Sequence, residues 1–252
     1  MPLNMLTAKP ESQTAIADRN VTMANLVMRA SHGLTLPEKR MIAAALAKSD
    51  TTDGRALTDE RFWTVKLSAA EYAETFAVTA DTAYEQLQAA ADGLLSKLIE
   101  APKAGPRGAV RVAKHQWLLR AEYAKGEGTV TATWHPDLRP FVFCLRREFT
   151  TYKLKHAAAL RSVYSWRLFE CLKSWDGAGK WSPTIEEFWV AMDAKPAHRA
   201  NFKALRQRII EPAVAELRDK NGLLIDWQPI KDGRRVGALR FEFVRNPQGA
   251  LF

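Results

Sequence analysis

The sequence predicts an α+β fold in which one architectural unit, a set of helices closed by a β-hairpin, occurs twice along the chain. Three observations carry this reading. A length of 252 residues suits two compact domains at roughly 150 residues each. Capping boxes, each a helix-start signal, recur at Thr35/Glu38, Ser68/Glu71 and Thr184/Glu187. Alternating apolar stretches around Gly-containing turns appear near residues 117–134 and again near 223–243, the pattern of a hairpin.

Residues 1–19 are polar and aperiodic, which predicts a mobile leader. From Val21 the pattern turns helical, Gly33 interrupts it, and Thr35 restarts it as a helix over 37–48. The polar stretch 49–60 reads as a loop. Trp63, Val65 and Leu67 then share one face of a strand over 62–67. Ser68 opens a short helix to about Phe76, and Thr79 or Asp81 caps a longer one whose Ala83, Leu87, Ala91, Leu94 and Leu98 recur at helical spacing. Two helices in tandem form a helix-turn-helix candidate. Pro102–Lys114 is a basic hairpin loop carrying Lys103, Arg107, Arg111 and Lys114. Beyond it Trp117, Leu119, Ala121 and Tyr123 alternate on one strand, Gly126-Glu-Gly128 turns, and Val130, Ala132 and Trp134 alternate on the next.

A similar order follows. A long helix is expected around 156–175, a capped one from Thr184 to about Met192, a turn over 193–198, and a helix from about Arg199 to Lys220. In that last helix Phe202, Leu205, Ile209, Ala213 and Leu217 trace the inner stripe, Pro212 should kink it, and Asn221-Gly222 stops it. Leu223, Ile225 and Trp227 alternate toward an Asp-Gly turn within 231–235, and Leu239, Phe241 and Phe243 alternate on the return. A helix-turn-helix closed by a hairpin is a winged helix, so two tandem winged-helix domains are expected, over 20–145 and 146–245, with 246–252 as a tail.

Composition narrows the function. With 47% hydrophobic and 26% charged residues the chain is an ordinary globular mixture, not a disordered one. Its 37 Lys and Arg against 28 Asp and Glu give +9, the electrostatic mark of a polyanion binder. The excess is uneven: residues 1–145 hold 17 basic against 16 acidic side chains, residues 146–252 hold 20 against 12. Cys144 and Cys171 are too few for a disulfide framework and lack Cys-x-x-Cys spacing. The longest purely apolar run, Met41–Ala47, is far below a membrane span, and no secretion signal opens the chain. A cytoplasmic protein is expected.

With Phe202 and Ile209 inward, Lys203, Gln207, Arg208 and Glu211 face outward, with Arg206 at the margin. Gln can pair with adenine and Arg or Lys with guanine. Alone, this face reads equally well as a solvated basic surface. Its place as second helix of a helix-turn-helix, preceded by Arg199 and Asn201 and followed by a hairpin bearing Lys231, Arg234 and Arg235, makes it the expected DNA reader, with the hairpin on phosphates. In the first unit the equivalent helix presents Thr79, Thr82, Glu85 and Gln86, a nearly neutral surface, so contacts there are expected from Lys103, Arg107, Arg111 and Lys114.

Enzyme readings fail. The five histidines, His32, His115, His135, His156 and His198, lie at least 20 residues apart, so no close pair offers metal-ligand spacing. A phosphate-binding Gly-x-x-x-x-Gly-Lys-Ser/Thr loop and a Gly-x-Ser-x-Gly elbow are both absent from the sequence. No catalytic residue, metal or cofactor is expected.

Several segments together resemble the iteron-binding initiators of theta-replicating plasmids, a family with two winged-helix domains. They are Ala24-Asn25 with Leu34–Arg40, Phe149–Leu154 with Leu160–Glu170, Asn201–Leu217, and Gly233–Phe243. The resemblance implies binding to tandem origin repeats, duplex opening, and recruitment of the host initiator and replicative helicase. It also implies a division of labour in which monomers bind repeats and homodimers bind an operator to repress their own gene. The first domain would then carry the dimer contact. By position, Lys203, Arg206, Gln207 and Arg208 become the readers, while Glu211 and Pro212 limit how far DNA runs along the helix. A winged-helix transcriptional repressor without a replication role is the alternative; a protein-protein adaptor is disfavoured by the charge.

Overall fold

The computed structural model describes residues 15–104 and 110–245. Residues 1–14 of the expected leader, Arg107, and the expected tail 246–252 lie outside the described residues. The first half runs β1 (Asn20–Ala24), α1 (Asn25–Arg29), α2 (Leu36–Lys48), β2 (Thr64–Ser68), α3 (Ala69–Phe76), α4 (Ala80–Ser96), β3 (Leu98–Ala104), β4 (Val110–Gln116), β5 (Leu118–Ala124), β6 (Thr129–Trp134) and α5 (Arg139–Val142). The second runs β7 (Phe149–Lys153), α6 (Lys155–Ala158), α7 (Val163–Lys173), β8 (Lys180–Trp181), α8 (Ile185–Ala191), α9 (Pro196–Arg199), α10 (Phe202–Leu205), a π-helical turn (Arg206–Ile210), α11 (Glu211–Asn221), β9 (Leu223–Asp232) and β10 (Arg235–Arg245).

The three capping boxes form as their spacing dictates, starting α2, α3 and α8. Each satisfies backbone N–H groups that a helix start leaves unpaired. In α4 the stripe Ala83, Leu87, Ala91 and Leu94 is buried; Leu98 lies beyond the helix, exposed at the start of β3. The sheets are antiparallel throughout: β2-β6-β5 backs the first helix-turn-helix and β8-β10-β9 the second.

Several expectations are corrected. The helical pattern from Val21 is a strand first: β1 pairs with β7, aligning Asn20 with Lys153 and Ala24 with Phe149. Residues 16–19 of the expected leader are built into the fold, with Ile16 buried and the Arg19 carbonyl accepting from the Leu154 N–H at 3.0 Å. The strand expected from Phe62 begins at Thr64, because Glu60–Trp63 close a 3-10 turn. The long helix over 156–175 is broken at Ala159–Ser162: the Ser162 hydroxyl caps α7, and the Arg161 N–H is taken by Glu216 at 2.6 Å. Leu119 does not share the inner face of β5. A bulge between Leu118 and Arg120 turns it outward, 56% exposed. Of the expected hairpin loop Pro102–Lys114, residues 102–104 and 110–114 are strand residues of a separate two-stranded sheet, β3–β4, and 105–109 lie outside the described residues. The two-residue strand β8 gave no signal, being too short for periodicity.

The two halves share a continuous core. At the junction Lys39 of α2 meets Glu170 of α7 at 2.6 Å, each side chain 1% exposed. Glu170 also accepts from the Tyr152 hydroxyl at 2.8 Å and the Trp166 indole at 3.1 Å. Burial, and then the Glu170 charge, push the Tyr152 phenol well above its ordinary value, so it remains a donor. A buried charge is tolerable only when paired and hydrogen-bonded in this way.

Candidate nucleic-acid interface

The second helix-turn-helix is built from α8 and the helical run 202–221. Asn201 starts that run, its side chain accepting from the Ala204 N–H at 3.2 Å. Pro212 enters without an N–H, and its ring would crowd the carbonyl four residues earlier. The turn preceding it, Arg206–Ile210, widens to π geometry, so the expected kink takes the form of a π-bulge. Leu205, Ile209 and Ile210 remain buried, which leaves Lys203, Arg206, Gln207 and Arg208 exposed together on the opposite side.

The committed and uncommitted donors separate clearly. Arg199 is outside the main helix, in α9, and donates to the Ala194 carbonyl at 2.6 Å. Asn201 is a cap. Arg206 is paired with Glu211 at 2.6 Å. Lys203, Gln207 and Arg208 make no side-chain hydrogen bond or ion pair among the described residues, so their donors face water. Arg199 and Asn201 thus have structural work that sequence spacing did not reveal.

The hairpin β9–β10 forms the wing. Asp232 and Arg235 pair across a two-residue turn in which Gly233 takes φ +58°, a left-handed conformation that costs glycine least. Lys231, Arg234 and Arg235 are exposed at this tip and have no ion pair among the described residues. Strands of 10 and 11 residues anchor the tip through Leu239, Phe241 and Phe243, with Phe241 stacked against Trp181, Phe188 and Trp227.

In the first half, α3 and α4 make the corresponding helix pair. Ala77, at φ 49°, turns the chain between them, and Thr79 caps α4. Thr79 bonds Thr82 and Gln86 accepts from Tyr72, so this helix start is largely occupied with itself. Lys103 and Arg111 occupy facing positions on β3 and β4. Lys114 pairs with Glu100 at 2.7 Å across β3 and β4, both side chains exposed by about half. The sequence reading passed over Lys195, exposed at the start of α9, and Arg146 and Arg147, exposed between α5 and β7. The adjacent arginines alone carried a legible charge signal. Among the described residues no group of His, Cys, Asp and Glu is arranged to hold a metal ion.

Comparison with known proteins matches this architecture. The family profile described as "Initiator Replication protein, WH1" matches residues 20–173, and that described as "Initiator Rep protein, WH2" matches residues 184–243. An Escherichia coli "Uncharacterized 27.6 kDa protein" is 24% identical over 220 residues, covering 85% of this chain and 91% of its own length. The "PI protein" of Escherichia coli is 23% identical over 249 residues, covering 84% of this chain and 78% of its own. A crystal structure of the Pi initiator protein in complex with iteron DNA superposes with a TM-score of 0.76 at 20% identity, covering 92% of this chain and 99% of that one. At that identity the superposition establishes the fold: two winged helices. With both profiles matching in order across most of its length, the chain belongs to the initiator replication protein family.

Proposed function

We propose that this chain initiates plasmid replication by binding double-stranded DNA at tandem direct repeats, or iterons, of its origin. The observation that carries the reading is the cluster of uncommitted donors at the second winged helix, Lys203, Gln207 and Arg208 on the helix with Lys231, Arg234 and Arg235 on the wing. A helix of this kind suits base edges and the wing suits phosphates. The Pi initiator, a relative by fold, was crystallised on iteron DNA, which supports the same ligand here.

In this reading the protein makes and breaks no covalent bond. It opens the origin by binding energy and recruits the host initiator and replicative helicase. Monomers occupy the repeats, and homodimers, joined through the less charged first domain, occupy an operator. No helix among the described residues is long and apolar enough to cross a membrane, and the site of action proposed is the cytoplasm. A repressor without a replication role would use the same surface; family membership favours the initiator.

The test uses DNA flanking the gene. Tandem repeats there should bind the full chain in a gel shift and, with the gene supplied, should sustain a replicon in cells. Binding to a lone operator without replication would overturn the initiator reading.

A further inference from the structure

A cavity of about 690 Å³ lies at the far end of the second winged helix from its DNA-reading tip. It opens where α11 ends and the wing strands begin and finish, beside α6 and α7. The strand β9 runs ten residues from the cavity to the wing tip, about 30 Å at the rise of an extended strand. The main helix likewise separates the cavity at Lys220–Gly222 from the readers near its start. A duplex held by those readers and the wing tip therefore does not need this cavity.

Its lining is of two kinds. Exposed Ala159 and the edges of Phe169, Leu223 and Phe243, each 3–7% exposed, make an apolar floor. Lys155, Arg161, Lys173, Lys220 and Arg245 stand around the rim, where Asp176 is the lone acid of the lining. Most of these charges are partly spent: Arg161 donates to the Phe76 carbonyl at 2.8 Å, Lys155 pairs with Asp18 at 2.8 Å, Lys220 with Asp219 at 3.0 Å, and Lys173 with Asp176. The Lys155 and Lys220 pairs, between exposed side chains, contribute little and rearrange readily. Arg245 has no ion pair among the described residues. His156, half-buried in the same lining, senses the convergence. Its imidazole is pushed below the ordinary value by burial, and then by Arg245, Lys155, Lys173 and Lys153.

We propose that this cleft binds a nucleotide, with its phosphates on the cationic rim and its nucleoside over the apolar floor. The size suits such a ligand, and an apolar base beneath convergent cations is the chemistry that an organic phosphate satisfies and a bare anion does not. Because the site is remote from the readers, occupancy is independent of the DNA contact described above.

Calorimetric titration of the full chain with ATP, and in parallel with inorganic tripolyphosphate, tests this. ATP should bind saturably at one site per chain, and the inorganic ion roughly tenfold more weakly for want of contact with the floor. Lys173→Ala with Arg245→Ala should weaken ATP by roughly tenfold per lost charge-assisted contact. Lys220→Ala with Arg245→Ala alters only exposed side chains and serves should the first pair fail to fold. ATP should also raise the His156 pKa in an NMR titration, since a nearby anion favours the imidazolium. Arg234→Ala with Arg235→Ala should leave ATP binding unchanged. Absence of saturable binding, equal affinity for tripolyphosphate, loss in the wing variant, or weakened DNA binding in the pocket variants would each overturn the proposal.

Discussion

The guanidinium of Arg167 lies 2.8 Å from Nε2 of His32, joining α7 to the turn that leads into α2. The same guanidinium meets Asp193 at 2.9 Å and donates to the carbonyls of Ala30, Val190 and Ala191. Asp193 in turn accepts from the Ser31 hydroxyl and from the N–H groups of His32 and Gly33. A single buried arginine thus ties the first winged helix to the end of α8, shortly before α9 and the helical run 202–221. Arg167→Ala should destabilise the chain by about 3–5 kcal/mol, because Asp193 and three carbonyls lose a buried partner. Arg167→Lys should not restore the loss, since an ammonium lacks the planar fork that serves all these acceptors. Urea midpoints of the three proteins at constant m-value measure it.

The same geometry sets a pH dependence. The Arg167 Nη1 lies within 3.0 Å of both ring nitrogens of the buried His32, so a second positive charge on that ring would be repelled with no water to screen it. Burial, and then Arg167, hold His32 well below its ordinary value. The unfolded chain therefore binds a proton near pH 6.5 that the folded chain refuses. Stability is complete above that pH and falls as pH drops below it, by up to about 1.4 kcal/mol per unit for one group. His156 is lowered in the same direction and adds to the slope. His32→Gln should reduce, without abolishing, the fall between pH 6.5 and 5 in thermal or urea unfolding; an unchanged slope contradicts a neutral buried His32.

Sequence pattern captured what local chemistry controls. The capping boxes at Thr35, Ser68 and Thr184 and the inner stripe of α4 as far as Leu94 formed as their spacing required, and the turn expected at Asp232-Gly233 formed one residue later, at Gly233-Arg234. What pattern missed is tertiary. Val21–Ala24 became a strand because Phe149–Lys153 offers it a partner more than a hundred residues away. The break before α7 is stabilised by Glu216 from another helix. At the candidate interface, exposure of Lys203, Gln207 and Arg208 followed from helical periodicity. The Arg199 bond to Ala194 and the pairing of Lys114 with Glu100 are contacts that residue type alone does not announce.

The wing tip should act as a phosphate clamp. Arg234 follows Gly233 within the turn and Arg235 opens the return strand, both exposed. Removing a phosphate contact weakens all duplexes alike and lowers the salt slope by about one per contact. Arg234→Ala with Arg235→Ala should therefore lose affinity equally for repeat and scrambled DNA and flatten the dependence of affinity on salt, as measured by fluorescence anisotropy across an ionic-strength series. A loss confined to the repeat sequence would assign these arginines to bases instead.

The recognition helix should behave in the opposite way. Lys203 and Gln207 lie four residues apart, and the π-turn keeps Arg208 exposed alongside them, so all three donors can enter one groove. A bidentate base contact discriminates by about 1–3 kcal/mol. Lys203→Ala with Gln207→Ala should accordingly reduce affinity for the cognate repeat by that amount per contact, while affinity for scrambled DNA changes much less. Neither side chain is part of the core or holds a partner among the described residues, so the variant should retain the unfolding midpoint of the parent chain. That stability makes the anisotropy comparison decisive: a folded double variant that still separates repeat from scrambled DNA removes this helix as the reader.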